Sequence, residues 1–260
     1  MCAPDGLRCC RAVALMCLAA VVWKVHPRFP LVVAANRDEF YARPTAPLAW
    51  QDGVLAGRDL QAGGTWMGVK GGRWALVTNV RNPADLVPGR ASRGELPLRW
   101  LASGQAATGF WQSLDPQQYA GFNLLMGDAE ELWWASNRAA GPVRLEPGCY
   151  GLSNAALDTP WPKLRQLRSR LLGRVITATS AASLAAGILE ELGDPAMAPD
   201  EELPDTGVGL AWERQLSATF IRTPLYGTRC STVMVREPAR TEVWERSFVG
   251  ETVEDRQERF

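Results

Sequence analysis

The stretch "RAVALMCLAAVVWKVHPRFPLVVAANRDEF" (Arg11–Phe40) decides how the chain is read. It holds an apolar, β-branched-rich run from Met16 to Val25, a link "HPRFP", and a second apolar run "LVVAA" that ends in Asn36-Arg37-Asp38-Glu39. Two short apolar runs joined by a Pro-containing link read as adjacent buried strands. The competing reading is a secretory signal, because Ala12–Trp23 is apolar and follows Arg8 and Arg11. A signal peptide gives no reason for a partner strand, so retention in the fold is the favoured reading. Cytoplasmic localisation follows, with export as the alternative if the first twenty or so residues act as a signal. A lipoprotein signal fits poorly, since Cys17 follows Met16 and not a small residue.

Composition narrows the function classes. Lys plus Arg and Asp plus Glu are both 28, so the chain lacks the basic footprint of a nucleic-acid binder. No apolar run reaches the roughly 20 residues of a spanning helix, so no transmembrane segment is expected. Of six cysteines, Cys2, Cys9, Cys10 and Cys17 crowd the start while Cys149 and Cys230 stand far apart. That distribution suits neither a disulfide framework nor a zinc site. The single histidine, His26, restricts any Ser-His-Asp or Cys-His mechanism to that residue. The eleven tryptophans sit mostly in apolar runs such as "GGTWMGV" and "ELWWASN" and read as core. "AGGTWMGVKGG" lacks the Lys-Ser/Thr ending of a phosphate loop, so its glycines read as turns.

Along the chain, "DGVLAGRDLQAGGTWMGVKGGRWALVTNVRNP" predicts short strands broken at Gly63-Gly64 and Gly71-Gly72. Ser92 and Glu95 have capping-box spacing ahead of a helix, and "TGFWQSL" suggests a short second one. "FNLLMGDAEELWWASN" predicts a hairpin turning near Asp128–Glu130, and "GCYGLSN" another strand. Thr159 and Pro160 are the expected N-cap and first position of a helix carrying Leu164, Leu167, Leu171 and Leu172 on one side. "SAASLAAGILEEL" supplies a further helix. An acidic, Pro-containing loop then leads to closing strands in "ATFIRTPLYGTRCSTVMVREP" and "RTEVWERSF", and the charged tail is expected at the surface. Clustered strands with segregated helices predict an α+β fold of antiparallel sheets, with the first and last strands as central neighbours and one domain over 16–260.

Polar residues recur at the predicted strand ends: Arg37 and Asp38, Asn79, Asn154, and Arg229. Such residues can simply mark where strands enter solvent; alternatively they converge on a site. If Met16 is removed, Cys17 carries a free α-amine beside its thiol. Arg37 or Arg229 would favour the thiolate, Asp38 would hold the amine or an arginine, and Asn79 or Asn154 would donate to an oxyanion. This chemistry needs no histidine.

Six segments in order carry a more specific signal: "MCLAAVVWKVHPRFPLVVAANRDEFYARPT", "AGRDLQAGGTWMGV", "VTNVRNP", "SRGELP", "GLSNAALDTPWPK" and "YGTRCSTV". Together they resemble the NRDE family, also called the TANGO2 family, over nearly all of the chain from Met16. The resemblance implies a four-layer α-β-β-α sandwich similar to the N-terminal-nucleophile hydrolases, beginning at Met-Cys. Residues 1–15 then stand as an extension or a mis-called start. It also implies kinship with cysteine amidases that use an N-terminal Cys, an Arg, an Asp, two Asn and a second Arg. Cys17, Arg37, Asp38, Asn79, Asn154 and Arg229 follow that order, although Arg37 and Asp38 are adjacent here, a spacing those amidases do not share.

The leading expectation is an N-terminal-nucleophile amidohydrolase acting on a linear amide with no required cofactor. The alternative implied by the family is a carrier in haem trafficking or lipid homeostasis, with haem as the transported ligand and His26 as its weak candidate ligand. A third reading is a scaffold that keeps the fold without chemistry. The expected partner is a small amide or haem, with no nucleic acid.

Overall fold

The computed structural model describes residues 16–82 and 89–260. The expected extension at 1–15 lies outside the described residues. In chain order the first strands are β1 (Met16–Trp23), β2 (Leu31–Phe40), β3 (Thr45–Gln51), β4 (Val54–Asp59), β5 (Met67–Lys70) and β6 (Arg73–Asn79). Helices α1 (Glu95–Ser103) and α2 (Ala107–Gln112) precede β7 (Phe122–Gly127), β8 (Leu132–Ser136), β9 (Val143–Arg144) and β10 (Gly148–Leu152). Then come α3 (Pro162–Thr177), α4 (Ala181–Leu192), α5 (Leu210–Leu216), β11 (Tyr226–Glu237), β12 (Arg240–Val249) and β13 (Thr252–Arg259). The fold is α+β. Among the described residues there are two compact units, one of 16–41, 81–82 and 147–260, the other of 42–80 and 89–146.

The first unit is built on a six-stranded antiparallel sheet in the order β10-β1-β2-β11-β12-β13. Successive strand residues point to opposite faces. Leu18, Ala20 and Val22 of β1, Val32 and Ala34 of β2, and Val233 and Val235 of β11 therefore share one face. That face packs on Leu164, Leu167, Leu171 and Val175 of α3 and Leu184, Ile188 and Leu192 of α4. Strand β2 is buried on both faces until Phe40, which is why "LVVAA" reads as a continuous apolar run. The pairing of β1 with β2 from Met16↔Asp38 to Trp23↔Leu31 makes the opening stretch a hairpin.

The second unit has a seven-stranded antiparallel sheet in the order β3 to β9. Val54, Ala56, Ala75, Val77, Leu124 and Met126 of its strands bury against Leu96, Trp100 and Leu101 of α1 and Phe110 of α2. Each unit thus supplies one helix layer and one sheet layer. The Gly71-Gly72 turn has both residues at positive φ, 53° and 82°, as glycine allows without strain.

Several expectations needed correction. Sheet order places β2 of the opening hairpin beside β11 of the closing strands at the centre, but the first strand itself, β1, lies one place out and does not neighbour β12. The helix expected at Thr159-Pro160 starts two residues later, with Trp161 as N-cap and Pro162 inside the first turn; Thr159 Oγ1 instead bonds the carbonyl of Ala156 at 2.8 Å. Among the described residues no side chain caps α1, whose N-cap is Gly94 and not Ser92; the Glu95 carboxylate accepts from the hydroxyl of Tyr119 and from Arg99. The charged tail is exposed, as expected, but forms the edge strand β13, whose charges suit an edge. Strand β3 escaped notice because Pro47 interrupts it where its register slips between Ala46 and Ala49.

Candidate functional site

The hairpin of β1 and β2 sets the geometry. Cys17 stands opposite Arg37, and Arg37 stands opposite Cys230 of β11. By alternation these three lie on the face away from α3 and α4, while Asn36 and Asp38 lie on the helix face. Asn36 is fully employed: its Nδ2 donates to the carbonyls of Leu192 and Thr219 at 2.9 and 2.8 Å, and its Oδ1 accepts from Ser231 Oγ at 2.7 Å. It fastens β2 to the end of α4.

Asp38 is different. Its Oδ1 accepts from Thr228 Oγ1 at 2.6 Å, but its buried Oδ2 has no hydrogen-bond partner among the described residues. Burial pushes this carboxyl up to about 6, against the opposing pull of the Lys163 ammonium, the Thr228 hydroxyl and Arg37. Lys163 lies in the first turn of α3, buried, and its Nζ also has no hydrogen-bond partner among the described residues. Burial brings the ammonium down to about 8, and the Asp38 carboxylate is the largest influence holding it up.

The Cys17 thiol is pushed up to about 12, first by burial, then by Asp38 and Glu39, with Arg37 and a hydrogen bond from the Asp38 backbone working the other way. The residue as a whole keeps partial exposure although its thiol is buried. With Met16 still attached, Cys17 is a protonated thiol at neutral pH. Arg37 is itself divided, its Nη2 lying 3.4 Å from Glu39 Oε2 on the same face of β2.

Arg229 occupies a bulge between Thr228 and Cys230, and its Nη1 donates to the carbonyls of Phe40 and Tyr41 at 3.1 and 3.3 Å. Burial and the neighbouring Arg37 both weaken its hold on its proton, which places the two guanidiniums in one field. Asn154 follows β10, buried; Ser153 Oγ reaches both Asn154 Oδ1 at 3.2 Å and the Cys17 carbonyl at 3.1 Å. The structure therefore brings Cys17, Arg37, Asp38, Asn154 and Arg229 into one unit. Asn79 lies in the other unit, at the end of β6, buried and opposite Phe122.

His26 is in the loop between β1 and β2, at the other end of the hairpin from Cys17. Its Nδ1 accepts from the backbone N–H groups of Arg28 and Phe29 at 3.2 and 3.3 Å, and its ring stacks on Phe29. Only Nε2 is left to meet a ligand. Among the described residues no group of three or more His, Cys, Asp or Glu is arranged to hold a metal ion, and no helix is long and apolar enough to cross a membrane.

Two features were missed in the sequence. Lys163 is the first, though "TPWPKL" carried a signal: a cation in the first turn of a helix opposes the helix dipole and calls for a nearby acid. The second is the buried pair of Arg81 and Glu213, 2.7 Å apart, with the other oxygen of Glu213 accepting from Thr206 N and Oγ1. Arg81, Trp161, Lys163 and Glu213 line one small cavity. A larger groove of about 490 Å³ opens beside Phe40, lined by Trp212, Arg222, Pro224 and Leu225.

The sequence model of the Transport and Golgi organisation 2 family matches residues 16–250. The chain belongs to that family. Its match begins at Met16, directly before Cys17, and every residue of the site just described falls inside it. The chain is 34% identical to the cattle (Bos taurus) Transport and Golgi organization protein 2 homolog, covering 90% of this chain and 94% of that protein. The human (Homo sapiens) homolog is also 34% identical, over 85% of this chain and 88% of its own. The Drosophila melanogaster Transport and Golgi organization protein 2 is 27% identical, over 80% and 82%.

Proposed function

We propose that this family member is an N-terminal-nucleophile amidohydrolase that works once Cys17 is the first residue. The observation that carries the reading is Asp38 Oδ2, a buried acceptor without a donor among the described residues, on a residue paired with Met16 in the β1–β2 ladder. Removing Met16 leaves an α-amine at that place, and the amine supplies the missing donor. The same event replaces an amide by a base next to a thiol that is otherwise held protonated.

The α-amine takes the Cys17 proton, and Arg37, opposite on β2, favours the thiolate. The sulfur attacks the amide carbonyl carbon, and the oxyanion takes a hydrogen bond from Asn154. The C–N bond breaks as the ammonium returns its proton to the leaving nitrogen. Water, deprotonated by the same amine, then attacks the thioester, releasing the carboxylic acid and restoring the thiol.

The test uses the full chain with a Factor Xa sequence placed immediately before Cys17, folded first and then cut. Cut and uncut protein are compared for iodoacetamide alkylation of Cys17 and for hydrolysis of a panel of acyl amides. Cutting should speed alkylation at neutral pH by at least about tenfold, the effect of a one-unit fall in the thiol pKa, and should start amide hydrolysis. Cys17→Ala should abolish that hydrolysis. Equal alkylation before and after cutting would sink the proposal.

A further inference from the structure

We propose that Lys163 is a positioning residue of this site: with Asp38 it brackets the place of the Cys17 α-amine and keeps that amine neutral. The inference rests on the amidohydrolase reading and adds a residue to it. Two buried polar atoms that feel each other's charge, Asp38 Oδ2 on β2 and Lys163 Nζ on α3, each have no hydrogen-bond partner among the described residues. A carboxylate oxygen accepts and an ammonium donates, so one group can satisfy both only if it has a donor hydrogen and a lone pair. A neutral primary amine has both. An α-ammonium would satisfy Asp38 but would face Lys163 as a second positive charge.

The groups facing Lys163 support this balance. Asp38 on β2, Cys17 on β1 and Glu213 on α5 favour its charged form, and Arg81 opposes it. Glu213 is already saturated by Arg81 and Thr206, which leaves Asp38 as the carboxylate with capacity to spare. Without Lys163, the buried Asp38 carboxylate alone would hold the new amine as an ammonium, which cannot take the thiol proton. With it, the amine stays a base. The approach of α3 to the sheet is fixed where a Cβ on Gly151 would fall 2.7 Å from Leu164 Cγ, so Lys163 enters on a helix with no slack.

The experiment is trace acylation of the α-amine against pH in the cut protein, read by mass spectrometry of the N-terminal peptide. Lys163→Met, Lys163→Gln and Lys163→Arg are compared with the unmodified residue; two neutral variants are carried so that one folding failure does not end the test. Both neutral variants should bind the α-amine proton about tenfold more tightly, moving the midpoint up by about one pH unit, while Lys163→Arg stays close to the parent. A purely structural role for Lys163 would not move that midpoint selectively with charge. Coincident midpoints in all four proteins, with Cys17 still rapidly alkylated after cutting, would overturn the role of Lys163 and leave the Cys17 reading standing. Alkylation no faster in cut than in uncut protein would overturn both.

Discussion

Thr228 Oγ1 lies 2.6 Å from Asp38 Oδ1 and is the donor through which β11 holds the buried carboxyl of β2. This bond lowers the Asp38 pKa against a larger upward push from burial, and the balance lies at about 6. Because the folded value exceeds the unfolded one, the folded protein binds the extra proton between them. The stability this gives is complete below about pH 4 and is lost as pH rises through about 6. Urea unfolding of the parent and of Asp38→Asn across that window should show the parent losing about 1–3 kcal/mol relative to the variant. Thr228→Val should push the carboxyl higher still and move the loss to higher pH. A parent and an Asp38→Asn protein that run parallel through the window would mean the carboxyl does not titrate there.

The Arg81–Glu213 pair makes a second, independent prediction. Both side chains are about 4% exposed, so removing one partner strands a buried charge. Arg81→Met or Glu213→Leu alone should cost about 3–5 kcal/mol, while the double variant should recover much of that loss. The check is a double-mutant cycle by urea unfolding. Additive losses would show that the two side chains do not act as a pair.

Gly151 of β10 carries the third. A Cβ there would sit 2.6 Å from Arg168 Cδ and 2.7 Å from Leu164 Cγ, on the inner side of α3. Gly151→Ala should therefore force α3 off the sheet and cost about 1–3 kcal/mol. The same shift moves Lys163 at the head of the helix, so the acylation midpoint of the α-amine should move with it. A stable variant with an unchanged midpoint would show that α3 has room to give.

What the sequence revealed follows from the range over which each signal acts. The hairpin of Met16–Phe40 was legible because two apolar runs and a Pro-containing link are local facts, and the leucine spacing of α3 was legible for the same reason. Arg37, Asp38, Asn154 and Arg229 were legible as strand-end polar residues and Cys17 from the Met16-Cys17 start, and the pairing of β1 with β10 and β2 and of β2 with β11 brings them into one unit. Lys163 was not, because its partner lies 125 positions earlier and only the packing of α3 on the sheet joins them. The capping readings at Ser92 and Thr159 failed because each helix starts two residues further on, with Gly94 and Trp161 at the N-cap, and in the second case the chain makes a tight turn first. Strand β13 looked like a solvated tail because an exposed edge strand has no apolar alternation to display.

Arg37 and Glu39 supply the last prediction, since they act on Cys17 with opposite signs. Arg37 stands opposite Cys17 and favours the thiolate; Glu39, two residues on and 3.4 Å from the guanidinium, both disfavours the thiolate and competes for Arg37. In the uncut chain, where the thiol lies at about 12, its alkylation rate at a fixed alkaline pH is set by the small thiolate fraction. Glu39→Gln should raise that rate by about threefold to tenfold, and Arg37→Met should lower it by a similar factor, as half a pKa unit to one unit requires. Both variants should show unchanged rates in 6 M guanidinium, where the fold that brings the charges together is lost. If the two substitutions shift the native rate in the same direction, loosened packing and not charge controls access to the sulfur. Opposite shifts would establish that the thiol is tuned by the face of β2 it sits against.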